Sequence, residues 1–166
     1  MKNPEYYMQI AYEHAEKAGI MGEIPVGALI VFEDKIITVT HNLNRLKHDS
    51  TCHAEMVAIR QASQILKNER LNNCELYVTK EPCMMCLGAI IHSRLSKVYF
   101  GASDKKYGVC GGSIDILNNF NFNHKPEIIS GILKEKCSDQ LSSFFRKLRS
   151  EKKIIGFLSD NSDSFI

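Results

Sequence analysis

Cys52-His53-Ala54-Glu55 is answered downstream by Pro82-Cys83-Met84-Met85-Cys86. Together they offer a cation one imidazole and two thiols, with a carboxylate close to the imidazole. A zinc site with three protein ligands keeps a fourth position for water, which marks a catalytic rather than a structural site. Cys83 and Cys86, spaced i and i+3, share a face of a helix, so both sulfurs reach one ion. Pro82 sets the start of that helix, and the N–H groups of its first turn favour thiolate over thiol. His53 likewise falls at a helix start. Residues 53 and 55 diverge to nearly opposite sides of an ideal helix. They serve one site only if the helix points at it end-on, so the expected geometry is two helix N-termini facing one metal.

Simpler readings compete. A lone C-x-x-C also occurs as a redox pair or as half of a structural zinc site. The redox reading leaves His53 and Glu55 unexplained. A closed structural site needs a second pair, and Cys52, Cys74, Cys110 and Cys137 are scattered. A Glu in a first helical turn often only complements the helix dipole, and that reading of Glu55 stays open. A capping box is excluded, because the position three residues before Glu55 is Cys52 rather than Ser or Thr.

The flanking sequence alternates helix and strand. Met8, Ala11, Tyr12, Ala15 and Ala18 recur at helical spacing over 4–18, with Pro4 in the first turn and Gly19 at the end. Residues 28–32 and 36–40 are apolar runs around the turn Glu33-Asp34-Lys35, which reads as a hairpin. Their near-continuous hydrophobicity predicts strands buried on both faces. The polar stretch 41–50 reads either as a loop carrying substrate contacts or as a solvated connection. Residues 53–67 and 83–92 are helical, and 74–79 and 97–101 are strands. The segment 102–125 reads as an ordered loop with one turn at 114–117, followed by a short strand at 127–129. Leu133, Cys137, Leu141, Phe144, Phe145 and Leu148 form one helical stripe. The expectation is one α/β domain over residues 1–156 with a polar, frayed tail over 157–166.

Length and composition fit that reading. The chain has 166 residues, 44% hydrophobic and 24% charged, which suits one globular domain with a filled core. A net charge of +2 neither demands nor excludes a nucleic-acid partner, so any basic surface must be local. The six Cys have no apolar signal segment before them, so reduced thiols in a cytoplasmic protein are expected. No apolar run is long enough to cross a bilayer.

The pattern H-x-E…P-C-x-x-C is the signature of zinc-dependent base deaminases. Zinc lowers the pKa of a bound water toward neutrality, and Glu55 is the candidate general acid/base that moves its proton to the ring nitrogen and the leaving amine. Imidazole with two thiolates favours Zn2+ and leaves Fe2+ open.

Beyond these motifs, the sequence resembles the bacterial tRNA-specific adenosine deaminases of the cytidine-deaminase-like superfamily. The resemblance runs through Glu23-Ile24-Pro25-Val26-Gly27-Ala28, the segments 48–55 and 77–86, Gly88-Ala89-Ile90-Ile91-His92-Ser93-Arg94, Phe100-Gly101-Ala102-Ser103-Asp104-Lys105-Lys106 and Phe144-Phe145-Arg146. It implies a three-layer α/β/α fold around a mixed sheet of about five strands. It further implies conversion of adenosine to inosine at the wobble position of a tRNA anticodon, by a homodimer with one zinc per subunit. By the same resemblance His53, Cys83 and Cys86 hold the metal and Glu55 is catalytic. Asn42 contacts the flipped base, and Glu23, Val26 and Ala54 line its pocket. Asp104, Lys106, Phe145, Arg146 and Arg149 meet the RNA. Splayed RNA bases stack on aromatic and Arg planes while cations hold phosphates, which these residue types suit. Phe144 is expected in the core, and Asp104 also reads as a loop cap. Cys52 departs from the family, where Ala is usual, and Val109-Cys110-Gly111-Gly112 is an unusual loop. A small-molecule nucleobase deaminase and a non-catalytic zinc or RNA-binding protein are the competing functions.

Overall fold

The computed structural model describes residues 3–162, with side chains through residue 153. Five strands form one mixed sheet: β1 (Gly27–Phe32), β2 (Lys35–His41), β3 (Cys74–Lys80), β4 (Lys97–Ala102) and β5 (Glu127–Ser130). Their spatial order is β2-β1-β3-β4-β5. The β1–β2 and β1–β3 pairs are antiparallel, whereas β3–β4 and β4–β5 are parallel. Helices α1 (Pro4–Ile20) and α6 (Lys134–Ser162) lie on one face, and α3 (Ala54–Leu66) and α4 (Met84–His92) on the other. This is the expected three-layer α/β/α architecture.

The central strand β1 shows why the layers form. Ala28 and Ile30 pack with Ala54, Ala58 and Ala62 of α3, while Leu29 and Val31 pack with Tyr7, Met8 and Ala11 of α1. The period of two sends alternate side chains to opposite helices, so an unbroken apolar run is the correct sequence for a strand covered on both sides. Gly27 is required by close approach: a Cβ there would lie 1.9 Å from the Ala11 carbonyl oxygen of α1. The second half of the hairpin differs from expectation. As the edge strand, β2 has one neighbour and is buried mainly at Thr38 and Thr40.

Several boundaries shift. The polar stretch 41–50 holds a short helix, α2 (Asn44–Lys47), and the loop after β4 holds α5 (Ile116–Asn119). α6 continues through residue 156 to Ser162, so the expected start of a frayed tail is not a break in the helix. Residues 163–166 of that tail lie outside the described residues. On α6, Cys137 is fully buried against Gly101, but Phe144 is only half-buried and lies outside the core. It packs edge-on against Phe145 with ring centres 5.6 Å apart, because the stripe leaves the sheet beyond Leu141.

Candidate active site

α3 and α4 begin at the same place in the fold. His53 is the N-cap of α3 and Cys83 that of α4; both are extended and neither side chain makes an N-cap hydrogen bond. Cap residues usually spend their side chains on the orphan N–H groups of the first turn. Here other groups do that work at α3. Asn42 Oδ1 accepts from the Ala54 N–H at 2.9 Å, and Thr40 Oγ1 donates to the Ala54 carbonyl at 2.8 Å. The end of β2 thus fixes the start of α3 and leaves the imidazole free.

His53 Nδ1 lies 3.7 Å from Cys83 Sγ and 3.5 Å from Cys86 Sγ, and the two sulfurs are 3.7 Å apart. Tetrahedral zinc with ordinary bond lengths places two sulfurs about 3.8 Å apart and sulfur and nitrogen about 3.6 Å apart. The three atoms therefore already stand at the corners of such a site, and the group fits a metal ion. The Cys83 thiol is pulled down to about 3, chiefly by its hydrogen bond with Cys86. The Cys86 thiol is pushed up, by Cys83 first and then by burial and the nearby Glu55 carboxylate. A pair holding one proton between two sulfurs is one that a divalent cation completes by displacing that proton. His53 is raised, first by Cys83, against the opposing effect of burial.

Glu55 sits in the first turn of α3 and is 4% exposed. Burial pushes its carboxyl up; its own N–H and His53 offset only part of this. A carboxyl raised by burial beside three potential metal ligands is poised to accept and return a proton, which a dipole-complementing surface Glu is not. Cys52 takes no part: its thiol turns to Asp49, 3.3 Å away.

A cavity of about 650 Å³ opens over this group. His53, Glu55, Cys83, Glu23, Val26, Asn42, Asp104, Lys106, Phe145 and Arg149 of the expected residues line it. Three expected residues do not. Cys86 is fully buried in the first turn of α4. Ala54 is fully buried, with its N–H and carbonyl both bonded to the end of β2, and Arg146 is exposed on α6 away from the lining. Glu23 and Asn42 are more committed than expected. Glu23 Oε1 accepts from the N–H groups of Arg45 and Leu46 at 2.8 and 2.9 Å, holding the start of α2. The Asn42 amide joins Ala54 to the Ile24 carbonyl.

Lys80, Glu81 and Tyr107 also line the cavity and carried no expected role. Lys80 pairs with Asp104, and Lys106 Nζ lies 5.0 Å from the centre of the Tyr107 ring. The signal for the first two was present: Lys80 and Glu81 are charges placed at the carboxyl end of an apolar strand, where α/β sheets bind ligands. Burial alone would raise the Asp104 carboxyl, but the Lys80 ammonium and the N–H groups of Lys106 and Tyr107 outweigh it and hold it below the usual range.

The architecture places the chain in the cytidine-deaminase-like class, and comparison with known proteins narrows it. Residues 2–149 match the family described as MafB19-like deaminase. Over 153 residues the chain is 46% identical to the tRNA-specific adenosine deaminase of Bacillus subtilis, covering 92% of this chain and 95% of that protein. A solved structure from a study of A-to-I editing by tRNA:A34 deaminases superposes with a TM-score of 0.79 at 35% identity, covering 82% of this chain and 99% of its own. A guanine deaminase structure from Bacillus subtilis is 38% identical but covers 61% of this chain and 66% of its own, with a TM-score of 0.59. Identity of 46% over nearly the whole of both chains shows the family, and the chain belongs to the tRNA-specific adenosine deaminases.

Proposed function

We propose that the chain hydrolyses adenosine to inosine at the wobble position of a tRNA anticodon, with Zn2+ held by His53 Nδ1, Cys83 and Cys86. The observation that carries this is the tetrahedral spacing of the three ligand atoms beside a buried Glu55. When bound, zinc supplies a Lewis acid that makes water nucleophilic near neutral pH. Glu55 takes a proton from the attacking water and delivers it to the ring nitrogen, then serves the leaving amine. The water oxygen stays on the purine carbon and ammonia leaves. Val26 and Asn42 bound the pocket for the flipped base, with Asn42 keeping spare donor and acceptor capacity beyond its two protein bonds. Phe145, Arg149, Lys106 and Tyr107 at the rim offer two aromatic faces and two cations to the flanking nucleotides; Arg146 meets the RNA from outside the cavity. Family resemblance extends the reading to a cytoplasmic homodimer with the anticodon loop bound across both subunits. No described helix is long and apolar enough to cross a membrane.

The test is incubation with an anticodon stem-loop carrying A at the wobble position. Inosine at that position alone supports the reading. Turnover of free guanine or cytosine nucleotides with an untouched stem-loop replaces it with small-molecule deamination.

A further inference from the structure

Glu81 is a buried carboxylate outside the proposed chemistry, 1% exposed at the end of β3. Its Oε2 accepts from the Ser103 hydroxyl and the Asp104 N–H, each at 2.8 Å. Its Oε1 accepts from the N–H groups of Cys110 and Gly112 at 2.9 and 2.8 Å. All four donors belong to one loop, which carries Asp104, Lys106 and Tyr107 to the cavity rim. A buried charge is tolerable only when hydrogen bonds replace its water, and here a single loop supplies them. The fit is tight. A Cβ on Gly108 would lie 2.4 Å from the Glu81 carboxyl carbon, and one on Gly112 would lie 2.2 Å from Oε2. The residues on either side of Glu81 grip the same loop. Lys80 pairs with Asp104, and the Val109 N–H donates to the Pro82 carbonyl at 3.2 Å. Pro82 leads directly into Cys83.

We infer that Glu81 is a positioning residue that fixes the 103–112 loop against the metal ligands, so that base and flanking nucleotides are held in one register. Glu81 borders the cavity, but both its oxygens are taken by loop donors, so it acts through Lys106 and Tyr107. The inference rests on the proposed contact between that loop and RNA. Lys80 assists through Asp104, as the weaker and more exposed of the two anchors.

Glu81→Gln tests it. The amide keeps the shape but turns an NH2 group toward two of the four donors, which then lose their acceptor. The expected result is a KM for the anticodon stem-loop raised about tenfold, a kcat lowered less than about threefold, and one zinc retained per chain. Gly112→Ala keeps the Glu81 residue and presses from the loop side on its carboxylate and on the Asp104 carbonyl, 2.2 and 2.5 Å from the added Cβ; it raises KM in the same way. An unchanged KM with a fallen kcat in Glu81→Gln, or a normal KM in Gly112→Ala, overturns the inference. Should Glu81→Gln fail to fold, Gly112→Ala decides alone. Lys106→Ala separates the two levels. If it raises KM while Glu81→Gln and Gly112→Ala do not, RNA binding by the loop stands and the positioning role falls. If Lys106→Ala and Tyr107→Ala both leave KM unchanged, the loop does not meet RNA and the inference falls with that reading.

Discussion

The floor of the cavity and its rim are built by opposite means. On the floor, His53, Glu55, Cys83 and Cys86 come from the first turns of two helices whose other faces are locked into the sheet core. Glu55 and Cys86 are buried, and the start of α3 is fixed by its neighbours Asn42 and Thr40. At the rim, Lys106, Tyr107 and Arg149 are exposed and come from an irregular loop and the outer reach of α6. The floor is built from helix starts packed on the core; the rim has cations and rings in solvent. Chemistry that needs fixed distances sits on rigid elements, and recognition of a mobile polynucleotide sits where side chains can adjust. Substitutions on the floor should therefore act on kcat and metal content, and those at the rim on KM and salt dependence.

The sharpest break is Glu55→Ala. Loss of a general acid/base in a positioned site costs about 10²- to 10⁴-fold in rate, so kcat for the stem-loop should fall by that amount with zinc and fold retained. Activity near the wild-type level would return Glu55 to the role of a dipole-complementing residue. Next come the ligands. His53→Ala, Cys83→Ala and Cys86→Ala should each lower zinc stoichiometry after dialysis against a mild chelator, measured by atomic emission. Cys86→Ala should also lower thermal stability most, since its side chain is the most buried of the three. Full zinc content in any one of them removes that residue from the ligand set.

Rim substitutions should be milder and of a different kind. Stacking of a base on an aromatic side chain is worth about 1–3 kcal/mol, so Phe145→Ala should raise KM by about 5- to 150-fold while kcat changes little. Arg149→Ala should flatten the dependence of log KM on log salt by about 0.7 for each single-strand phosphate that the guanidinium no longer neutralises. A fall in kcat with an unchanged salt slope would erase the distinction between floor and rim.

The floor was legible in the sequence because its logic is local. An i, i+3 pair after Pro82 and a His–x–Glu at a helix start constrain geometry over a single turn, and the end-on approach follows from helix periodicity alone. β1, α1 and α3 were equally plain from their apolar spacing. What escaped depends on strand order, which periodicity does not carry. β2 has the composition of an inner strand but lies at the sheet edge, so much of its surface stays open. Asn42 and Glu23 fit the pocket by type, yet their hydrogen bonds to Ala54, Arg45 and Leu46 exist only because a strand and a turn pack beside two helix starts. Ala54 and Arg146 leave the cavity lining in opposite directions, one sealed beneath the cap and the other turned out along α6. Lys80 was adjacent to the motif, but its partner lies across the gap from β3 to the loop after β4.

That last pair gives the smallest effect and the finest test of the boundary between the two regions. Asp104 is held below its ordinary value of 3.8: burial raises it, but Lys80 and two backbone N–H groups more than compensate. A carboxyl depressed in the folded state contributes stability that is fully present above its unfolded pKa. That contribution is lost as pH falls through the lower, folded value. Wild type should therefore exceed Asp104→Asn in stability above about pH 4 by on the order of 1 kcal/mol, since the ion pair is only partly buried. The two should converge in more acidic solution, read by denaturant unfolding at a series of pH values. Lys80→Met should reproduce part of this loss at neutral pH and leave zinc content unchanged, because Lys80 reaches the loop without contacting the ligands. A gap between wild type and Asp104→Asn that persists unchanged into the most acidic solution in which both stay folded would mean the side chain acts by shape, as a cap for Lys106 and Tyr107, rather than through its charge.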